Sequence, residues 1–336
     1  MESLTIRRVD EVELRSLVRH GFGERARISR WHELTGGTFN AAYWIRLIDD
    51  TELVLKVAPS PDLKLLTHEV DLMRTEVDFY RRAGQVGVPV PRVVYAGFDR
   101  TLIGSDFVFL SRVPGVALDI VSADLHPAGL SAVRAELAGH AARLHTVTGP
   151  AYGYPLRGSP SWQPSWRAAF GAMVSDILDD ALRLGTRLPA GPERIGATSR
   201  RHAEALDDVD RPALVHFDLW DGNVFVTPNA TGGATVAGLI DGERAFFGDP
   251  VAELVSLALL RDVADQPEIL AGYADVAGRD RIELTAPVRR RLALYTCYLY
   301  LIMIIEGIPR GYSGPERLEF ENRLHELLTA QLRQLG

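Results

Sequence analysis

The sequence predicts an α+β fold of two lobes, an antiparallel-sheet N-lobe followed by a mainly helical C-lobe. Short strand-like runs separated by tight turns fill much of the stretch 31–113. After Gly115 the pattern becomes mainly helical. The chain has 336 residues, and single hydrophobic cores stop growing near ~250–300 residues. We therefore expect an N-lobe over residues 1–113 and a C-lobe over residues 114–336.

The N-lobe pattern predicts five strands and one helix. Two strands flank a turn at residues 35–38, and a third follows the turn at Asp49-Asp50. A helix is predicted over 63–83 because its apolar residues recur with a period close to 3.6. Two strands are predicted within the range 31–46. The other three are predicted at 52–58, 93–95 and 106–113.

The C-lobe pattern is helical apart from a few strands. Strands are predicted at 213–217, 223–227 and 235–240, with a hairpin turn at 229–233. A linker rich in Gly, Pro and Arg is predicted over 185–196. Helices are predicted at 130–145, 162–184, 198–206, 251–260, 267–276, 288–305 and 315–335.

The composition limits which binding partners and which cellular compartment we expect for this protein. The net charge of -7 and the lack of a basic block with interleaved aromatic residues argue against nucleic-acid binding. Cys297 is the only cysteine, which excludes an intramolecular disulfide and fits a reducing cytoplasm. The most apolar stretch, 292–305, is shorter than the ~20 residues of a membrane span, and residues 1–14 do not resemble a signal peptide. We expect a cytoplasmic monomer or weak homodimer that binds a small molecule and no membrane.

Four polar residues between positions 216 and 241 carry the functional prediction. His216 and Asp218 form a His-x-Asp, Asn223 follows Asp218 by five residues, and Asp241 follows Asn223 by eighteen. Kinase-like phosphoryl transfer needs a carboxylate to orient the acceptor hydroxyl, and an amide and a carboxylate to hold Mg²⁺ against ATP. We predict Asp218 as the catalytic base, Asn223 and Asp241 as Mg²⁺ ligands, and His216 as a brace for the loop. The alternative for Asn223 and Asp241 is turn capping.

Lys56 is the candidate phosphate-binding cation. The 37 basic residues include only two lysines, Lys56 and Lys64, and Lys56 lies inside the apolar run 53–57, where an ammonium group needs a partner. We predict that Lys56 binds the α- and β-phosphates of ATP and pairs with a carboxylate on the following helix. Glu76 is the preferred partner, and Glu69, seven residues earlier on nearly the same face, is the alternative.

A glycine-containing turn is the candidate phosphate loop. Gly36, Gly37 and Thr38, together with Asn40, could bring backbone N–H groups close to phosphate. A Gly-Gly pair is also common in ordinary hairpins, so this signal is weak by itself. Glu243, two residues after Asp241, is a further candidate for lining the cleft.

The acceptor pocket is predicted in the helical segments 130–206 and 254–311. Several candidate liners are acidic and would suit an ammonium-bearing substrate, although a helix carboxylate is more often solvated. Asp249 is predicted to cap the helix that begins at Val251. The candidate liners are Trp162, Trp166, Asp176, Asp179, Asp180 and Glu306.

These motifs, in this order over residues 31–260, resemble the aminoglycoside phosphotransferase family, which includes fructosamine and choline kinases. The resemblance implies a protein-kinase-like fold with a five-stranded N-lobe. It also implies that the Ser111 carbonyl and the Val113 amide contact adenine. The segments that carry the resemblance are 34–40, 53–56, 107–115, 216–223 and 240–250.

Two departures from the family pattern limit the substrate prediction. Phe217 replaces the glycine that the family usually has between His and Asp. The segment 219–223 is closer to the version in fructosamine kinases, so resistance to an aminoglycoside is not implied. Protein kinases fit worse, because they have a lysine where this chain has Trp220.

The sequence thus predicts a phosphotransferase that depends on ATP and Mg²⁺ and acts on a hydroxyl group. GTP is not excluded as the donor. The acceptor is a small polar metabolite or antibiotic, amino-bearing molecules among them. The alternatives are a fructosamine-, sugar- or choline-type kinase and a catalytically silent nucleotide-binding module on the same fold.

Overall fold

The structure, a computed structural model, describes residues 3–155 and 162–336 of the chain. The first five strands are β1 (Ile28–Leu34), β2 (Ala41–Leu47), β3 (Glu52–Val57), β4 (Val93–Gly97) and β5 (Phe107–Ser111). They form one antiparallel sheet in the order β1-β2-β3-β5-β4. Buried and half-buried residues alternate along β2, as expected for a strand in which successive side chains face opposite sides.

Helices cover both faces of this sheet. Phe107 and Phe109 of β5 pack with one helix, α1 (Glu11–Phe22), while Val108 and Leu110 pack in the same cluster as the second helix, α2 (Leu72–Gln85). The sequence reading missed α1, although its start carries a clear signal. Asp10 and Glu13 form a capping box there, because each side chain accepts the other residue's backbone N–H.

The predicted start of α2 at residue 63 is wrong. Residues 63–71 are a loop of turns, and the backbone of Asp71 is left-handed with φ 53°. The buried Asp180 holds this loop, since it accepts hydrogen bonds from the amide (2.6 Å) and the hydroxyl (2.9 Å) of Thr67. A side chain more than a hundred positions away therefore overrides the helical period.

The rest of the chain is mainly helical. Its helices are α3 (Leu118–Val121), α4 (Pro127–Leu144), α5 (Trp166–Leu184), α6 (Pro192–Arg201), α7 (Glu253–Leu257), α8 (Pro267–Ala277), α9 (Ala286–Ile305) and α10 (Pro315–Gln334). Its strands are β6 (Val116–Ala117), β7 (Ala213–Val215), β8 (Val224–Pro228), β9 (Ala234–Leu239) and β10 (Phe246–Gly248). They pair as β6-β8-β9 and β10-β7. The predicted α+β fold, an antiparallel sheet followed by a mainly helical part, is therefore confirmed, while the division at residue 113 stays a prediction.

Two details of this part concern predictions. The segment predicted as a linker over 185–196 already contains the start of α6 at Pro192. Asp249 caps the helical turn as predicted, because its carboxylate accepts from the Val251 amide (3.0 Å) and also from the Tyr295 hydroxyl (2.7 Å). The apolar α9 is mostly buried in the larger core cluster. Within the described ranges, no helix is long and apolar enough to cross a membrane.

Candidate active site

The loop that carries Asp218 leaves β7 at His216 and is held by a buried carboxylate. Glu253, which is 0% exposed, accepts hydrogen bonds from the amides of His216 (2.7 Å) and Phe217 (2.9 Å). The His216 ring donates from Nε2 to the Ile240 carbonyl (2.9 Å) and accepts at Nδ1 from the Asp218 amide (3.2 Å). His216 therefore braces the loop, as the sequence predicts, and both ring nitrogens are used in doing so.

Phe217 occupies a backbone conformation that favours glycine. Its φ is 63°, in the left-handed region that bulky side chains rarely adopt. Its ring is buried, 5.1 Å from the Phe246 ring and 5.9 Å from the Tyr298 ring between centroids. Aromatic packing and the bond to Glu253 together hold Phe217 in this conformation.

The β8–β9 hairpin brings Asn223 and Asp241 together. The Ile240 amide donates to the Asn223 carbonyl (3.0 Å), which places Asp241 one residue from this bond. Asn223 Nδ2 donates to the backbone carbonyl (2.9 Å) and to Oδ2 (3.2 Å) of Asp218. Among the described residues, Asn223 Oδ1 and Asp241 Oδ2 have no hydrogen-bond donor. Two unbonded oxygens of this kind suit a hard cation.

Lys56 on β3 is paired with two carboxylates. Its Nζ donates to Glu76 on α2 (2.7 and 2.9 Å) and to Asp241 Oδ1 (2.6 Å), and its exposure is 8%. Burial works against the ammonium group, but Asp241 and Glu76 outweigh it and raise the pKa of Lys56. Burial likewise opposes the charge of Asp241, but Lys56 outweighs it and lowers the pKa of Asp241. Glu69, the alternative partner, accepts from Arg310 instead (2.8 Å).

Tyr80 closes the network around Lys56. Its hydroxyl donates to Glu76 Oε1 (2.6 Å) and accepts from the Asp241 amide (3.0 Å). Asp241 is in the left-handed region with φ 60°, so its amide is turned out of the β9 ladder and needs this acceptor. The sequence reading counted Tyr80 only as an apolar position of a helix. Its spacing of four residues from Glu76 was the available signal, since such pairs share a helix face.

The glycine-containing turn joins β1 to β2. Gly36 has φ 135°, which only glycine adopts readily, whereas a Cβ at Gly37 would lie 3.5 Å from the Asn40 carbonyl and would fit. The Thr38 carbonyl accepts from the hydroxyl of Thr5 (2.9 Å). The bond from Thr5 thus fixes the turn at Thr38, and the backbone requires glycine at position 36 but not at position 37.

Glu243 connects the glycine-containing turn to the segment that follows β9. It lies two residues after Asp241, is buried, and accepts from Asn40 Nδ2 (2.7 Å). Burial is the main cause that raises the pKa of Glu243, to about 8, with the charges of Glu76 and Asp241 adding to it and that of Lys56 opposing it. Glu243 is therefore largely protonated at neutral pH.

Ser111 and Val113 lie where the first sheet ends. Ser111 is paired with Arg92 twice, since its amide donates to the Arg92 carbonyl (2.9 Å) and its hydroxyl accepts from the Arg92 amide (2.9 Å). The Val113 side chain packs against Gly238 of β9, where an added Cβ would come within 2.7 Å of it. In the parts of the chain that the structure describes, the Val113 amide has no hydrogen-bond acceptor.

Arg244 lies beside Asp218. Burial raises the pKa of Asp218, while the positive charge of Arg244 opposes that rise. Arg244 Nε is 3.9 Å from Asp218 Oδ2, and Arg244 Nη2 donates to Glu306 Oε2 (2.6 Å). The Asp218 side chain remains 23% exposed, so a bound molecule could reach it.

Two of the predicted acceptor-pocket liners are wrong. Trp166 is fully buried in an aromatic core cluster, where its Nε1 donates to the Tyr295 hydroxyl (2.7 Å), and Asp180 is bound to Thr67. Trp162 packs against the Phe247 ring, at 5.9 Å between centroids. Asp176 is half-buried and Asp179 exposed on α5. Glu306 is the predicted liner that the structure connects to Asp218, through Arg244.

The structure thus brings together most of the residues singled out from the sequence. Direct hydrogen bonds join Lys56 to Glu76 and Asp241, and Asn223 to Asp218. The bond from the Ile240 amide to the Asn223 carbonyl connects these two groups. Residues that the sequence reading did not single out also belong to this cluster, namely Tyr80, Arg244 and Glu253. Of these, Arg244 follows the predicted metal ligand Asp241 by only three positions.

The profile of the phosphotransferase enzyme family matches residues 30–295 of this chain. Acyl-CoA dehydrogenase family member 10 of Mus musculus is 26% identical over 245 residues, which cover 71% of this chain. The same alignment spans 21% of that protein, so the chain corresponds to about a fifth of this relative.

Two solved structures share the fold. A candidate fructosamine-3-kinase of Thermobifida fusca YX-ER1 superposes with a TM-score of 0.65 at 20% identity, over 96% of this chain and 98% of that one. A ternary complex of APH(2″)-IIa with streptomycin and ATP superposes with a TM-score of 0.63 at 18% identity, over 98% and 99% of the two chains.

Proposed function

This chain belongs to the phosphotransferase enzyme family and is a small-molecule kinase, and we propose that it transfers the γ-phosphoryl group of ATP to a hydroxyl group of a small polar acceptor with Mg²⁺. The observation that carries this proposal is the meeting of two hydrogen-bonded pairs, Lys56 with Asp241 and Asn223 with Asp218. The bond from the Ile240 amide to the Asn223 carbonyl connects them. A cation, a carboxylate that a bound molecule could reach, and two unbonded oxygens are the parts that phosphoryl transfer requires.

On the nucleotide side, Lys56 binds the α- and β-phosphates while Glu76 holds its ammonium group in place. The turn contributes the backbone N–H groups of Gly36, Gly37 and Thr38 toward the phosphates. The φ of 135° at Gly36, which only glycine adopts readily, supports this role. The Ser111 carbonyl and the Val113 amide bind the adenine edge. The free Val113 amide supports this last role, as it has no other acceptor in residues 3–155 and 162–336.

On the metal side, Asn223 and Asp241 hold Mg²⁺ through the two oxygens that lack hydrogen-bond donors. A Mg²⁺ ion held by these two residues would supply positive charge against the charge that develops on the transferring phosphate. Before ATP binds, Asp241 Oδ1 is paired with Lys56 (2.6 Å). This pair keeps Asp241 ionised and therefore ready to accept a cation.

In the reaction, Asp218 orients the acceptor hydroxyl and accepts its proton. The acceptor oxygen forms a bond to the γ-phosphorus, the bond from that phosphorus to the β,γ-bridging oxygen breaks, and ADP leaves. Glu253 and His216 fix the loop so that Asp218 needs little rearrangement on binding. The enzyme acts as a cytoplasmic monomer or weak homodimer.

The acceptor itself remains open between several classes. A fructosamine-, sugar- or choline-type acceptor and an aminoglycoside all present a hydroxyl group that Asp218 could orient. GTP is a possible alternative donor. A catalytically silent nucleotide-binding module would keep ATP binding and lose transfer, and the 23% exposure of Asp218 in the cleft favours the enzyme.

The first test is transfer of labelled phosphate from ATP to a panel of acceptors in the presence of Mg²⁺. The panel contains aminoglycosides, amino sugars, ketosamines, choline and neutral sugars. Asp218→Asn keeps the shape of the side chain but removes the base, so we expect turnover to fall by about 10²–10⁴-fold. Asp207→Asn is the matched control, because Asp207 is an exposed carboxylate paired with Arg167 in the same lobe.

If Asp218→Asn kept turnover within a few fold of the unaltered protein, the role of Asp218 would be wrong. Binding of ATP without transfer to any acceptor in the panel would favour the silent module.

A further inference from the structure

Arg244 presents unused hydrogen-bond donors next to Asp218. Among the described residues only its Nη2 has an acceptor, Glu306 Oε2 (2.6 Å). Its Nε is 3.9 Å from Asp218 Oδ2, which is too long for a hydrogen bond. Throughout residues 3–155 and 162–336, its Nε and Nη1 have no acceptor, yet neither atom is sealed off from solvent. The side chain is 14% exposed, so these donors can be reached from the cleft.

Other polar atoms close to Arg244 also lack partners. His68 Nε2 and Arg310 Nε are buried without a hydrogen bond in the described residues. Burial first, and then the charges of Arg244 and Arg310, lower the pKa of His68 to about 3, so its ring is neutral at pH 7. Glu306 is shared, since it accepts from Arg244 and also lies 3.3 Å from Arg310 Nη1. Arg244, His68 and Arg310 therefore each keep a side-chain nitrogen without a partner in the described residues, while the carboxylates of Glu306 and Asp218 lie next to Arg244.

The position of Arg244 matters for the choice of acceptor. An acceptor hydroxyl oriented by Asp218 would lie within a few ångströms of the Arg244 guanidinium. An ammonium group beside that hydroxyl would meet a fixed like charge, which is unfavourable in a partly buried site. A carboxylate or phosphate would instead accept charge-assisted hydrogen bonds from the free donors.

We propose that Arg244 binds an anionic group, a carboxylate or a phosphate, on the acceptor close to the hydroxyl that is phosphorylated. The acceptor is thus a hydroxy acid or a phosphorylated polyol, and aminoglycosides are disfavoured. Arg244 acts as the specificity-determining residue, and Glu306 holds it in place. This inference rests on the proposed kinase activity and favours an anionic acceptor over the ammonium-bearing one that the sequence suggested.

The test compares acceptors that share one carbon skeleton and differ in charge. Glucuronate and glucose 6-phosphate carry the anion, glucose is neutral, and glucosamine carries the ammonium group. Glycerate, glycerol 3-phosphate, glycerol and 3-amino-1,2-propanediol repeat the comparison on a smaller skeleton. Transfer of labelled phosphate from ATP is measured with the unaltered protein, Arg244→Gln, Arg244→Lys and Arg290→Gln. The last is the matched control, since Arg290 pairs with Glu204 on the outside of α9.

We expect the anionic acceptors to have the highest kcat/KM in at least one series, with the carboxylate and phosphate compounds showing which anion is preferred. Arg244→Gln should raise the KM for the anionic acceptor by about 10- to 100-fold and leave the neutral analogue within about threefold. Arg244→Lys should lose less, because it keeps the charge, and Arg290→Gln should change neither value. The KM for ATP should stay constant in all three variants.

Preference for the ammonium compounds, or a fall in kcat with unchanged KM in Arg244→Gln, would overturn the inference while leaving the kinase assignment intact. If no acceptor is phosphorylated in an Asp218-dependent manner, the kinase proposal fails separately. The inference is then decided by binding of glucuronate and glucose 6-phosphate to protein loaded with Mg²⁺ and a non-hydrolysable ATP analogue. Binding that Arg244→Gln abolishes supports it, and absence of binding overturns it.

Discussion

At the scale of single residues, the site depends on side chains that satisfy one another before any ligand binds. Tyr80 is the clearest case, because its one hydroxyl serves both a carboxylate and a backbone amide. Lys56 similarly joins Glu76 from the first lobe to Asp241 of the hairpin. A buried network of this kind is stable only when each member keeps its partner.

We predict that Tyr80→Phe lowers the free energy of unfolding by about 1–3 kcal/mol, because the Asp241 amide loses its acceptor. The same change should weaken ATP binding, since Tyr80 no longer ties the Asp241 backbone to Glu76. Urea denaturation and titration with ATP measure the two effects. Tyr300→Phe is the control, as the Tyr300 hydroxyl makes no hydrogen bond within the described part of the chain. Equal losses in both variants would contradict the prediction.

The residues that the sequence predicted and those that it missed differ in a physical way. Asp218, Asn223 and Asp241 were found because their spacing follows from one loop and one hairpin. Arg244 and Tyr80 matter through partners that are distant in sequence, at 62 positions for Arg244 with Glu306 and 161 for Tyr80 with Asp241. Local spacing carries no information on such pairs.

At the scale of elements, the spacing of apolar residues along the sequence predicted which segments form strands and helices, but not where α2 begins. The period through Leu65, Leu66 and Val70 is helical, yet residues 63–71 form a loop. Asp180 of α5 holds the Thr67 backbone, and Arg183 donates to the Leu65 carbonyl (3.0 Å). These tertiary bonds outweigh the modest helix propensity of nine residues.

We predict that Asp180→Asn releases this loop. Asparagine would place an N–H donor where the carboxylate now accepts from both the amide and the hydroxyl of Thr67. The free energy of unfolding should fall by about 1–3 kcal/mol, and amide hydrogen exchange should accelerate over residues 63–71. Asp179→Asn, at the exposed neighbouring position, should leave both unchanged. Unaltered exchange in Asp180→Asn would show that other contacts hold the loop.

At the scale of the whole molecule, the two parts of the chain meet through buried polar contacts. Asn40, beside the glycine turn, donates from its side-chain amide to the carboxyl group of Glu243, two residues after Asp241 (2.7 Å). Arg310, after α9, donates to Glu69 (2.8 Å) and lies 5.3 Å from the centre of the Phe39 ring. The turn beyond α9 therefore contacts both the loop before α2 and the residue that follows the glycine turn.

We predict a pH dependence of stability from Glu243. Its pKa is about 8 in the folded chain, against the ordinary 4.5, so the folded state keeps a proton that the unfolded state releases. Its contribution to stability is complete below about pH 4.5 and is lost as the pH rises through 8. Glu243→Gln should therefore gain stability relative to the unaltered protein over this range, as measured by urea denaturation at several pH values.

The control for this measurement is Glu283→Gln, because Glu283 is exposed and its carboxylate pairs with the exposed Arg281 (2.8 Å). A stability difference between Glu243→Gln and the unaltered protein that does not change between pH 4.5 and 8 would contradict the raised pKa.

The two lysines differ in their reactivity toward reagents that modify amines. Lys64 is exposed in the loop before α2, whereas Lys56 is buried and its raised pKa keeps it protonated and poorly nucleophilic. An acylating reagent would therefore modify the side-chain amine of Lys64 and spare the one in the cleft. A dye or a surface attached through a side-chain amine would therefore lie at Lys64, in a loop that Asp180 ties to α5.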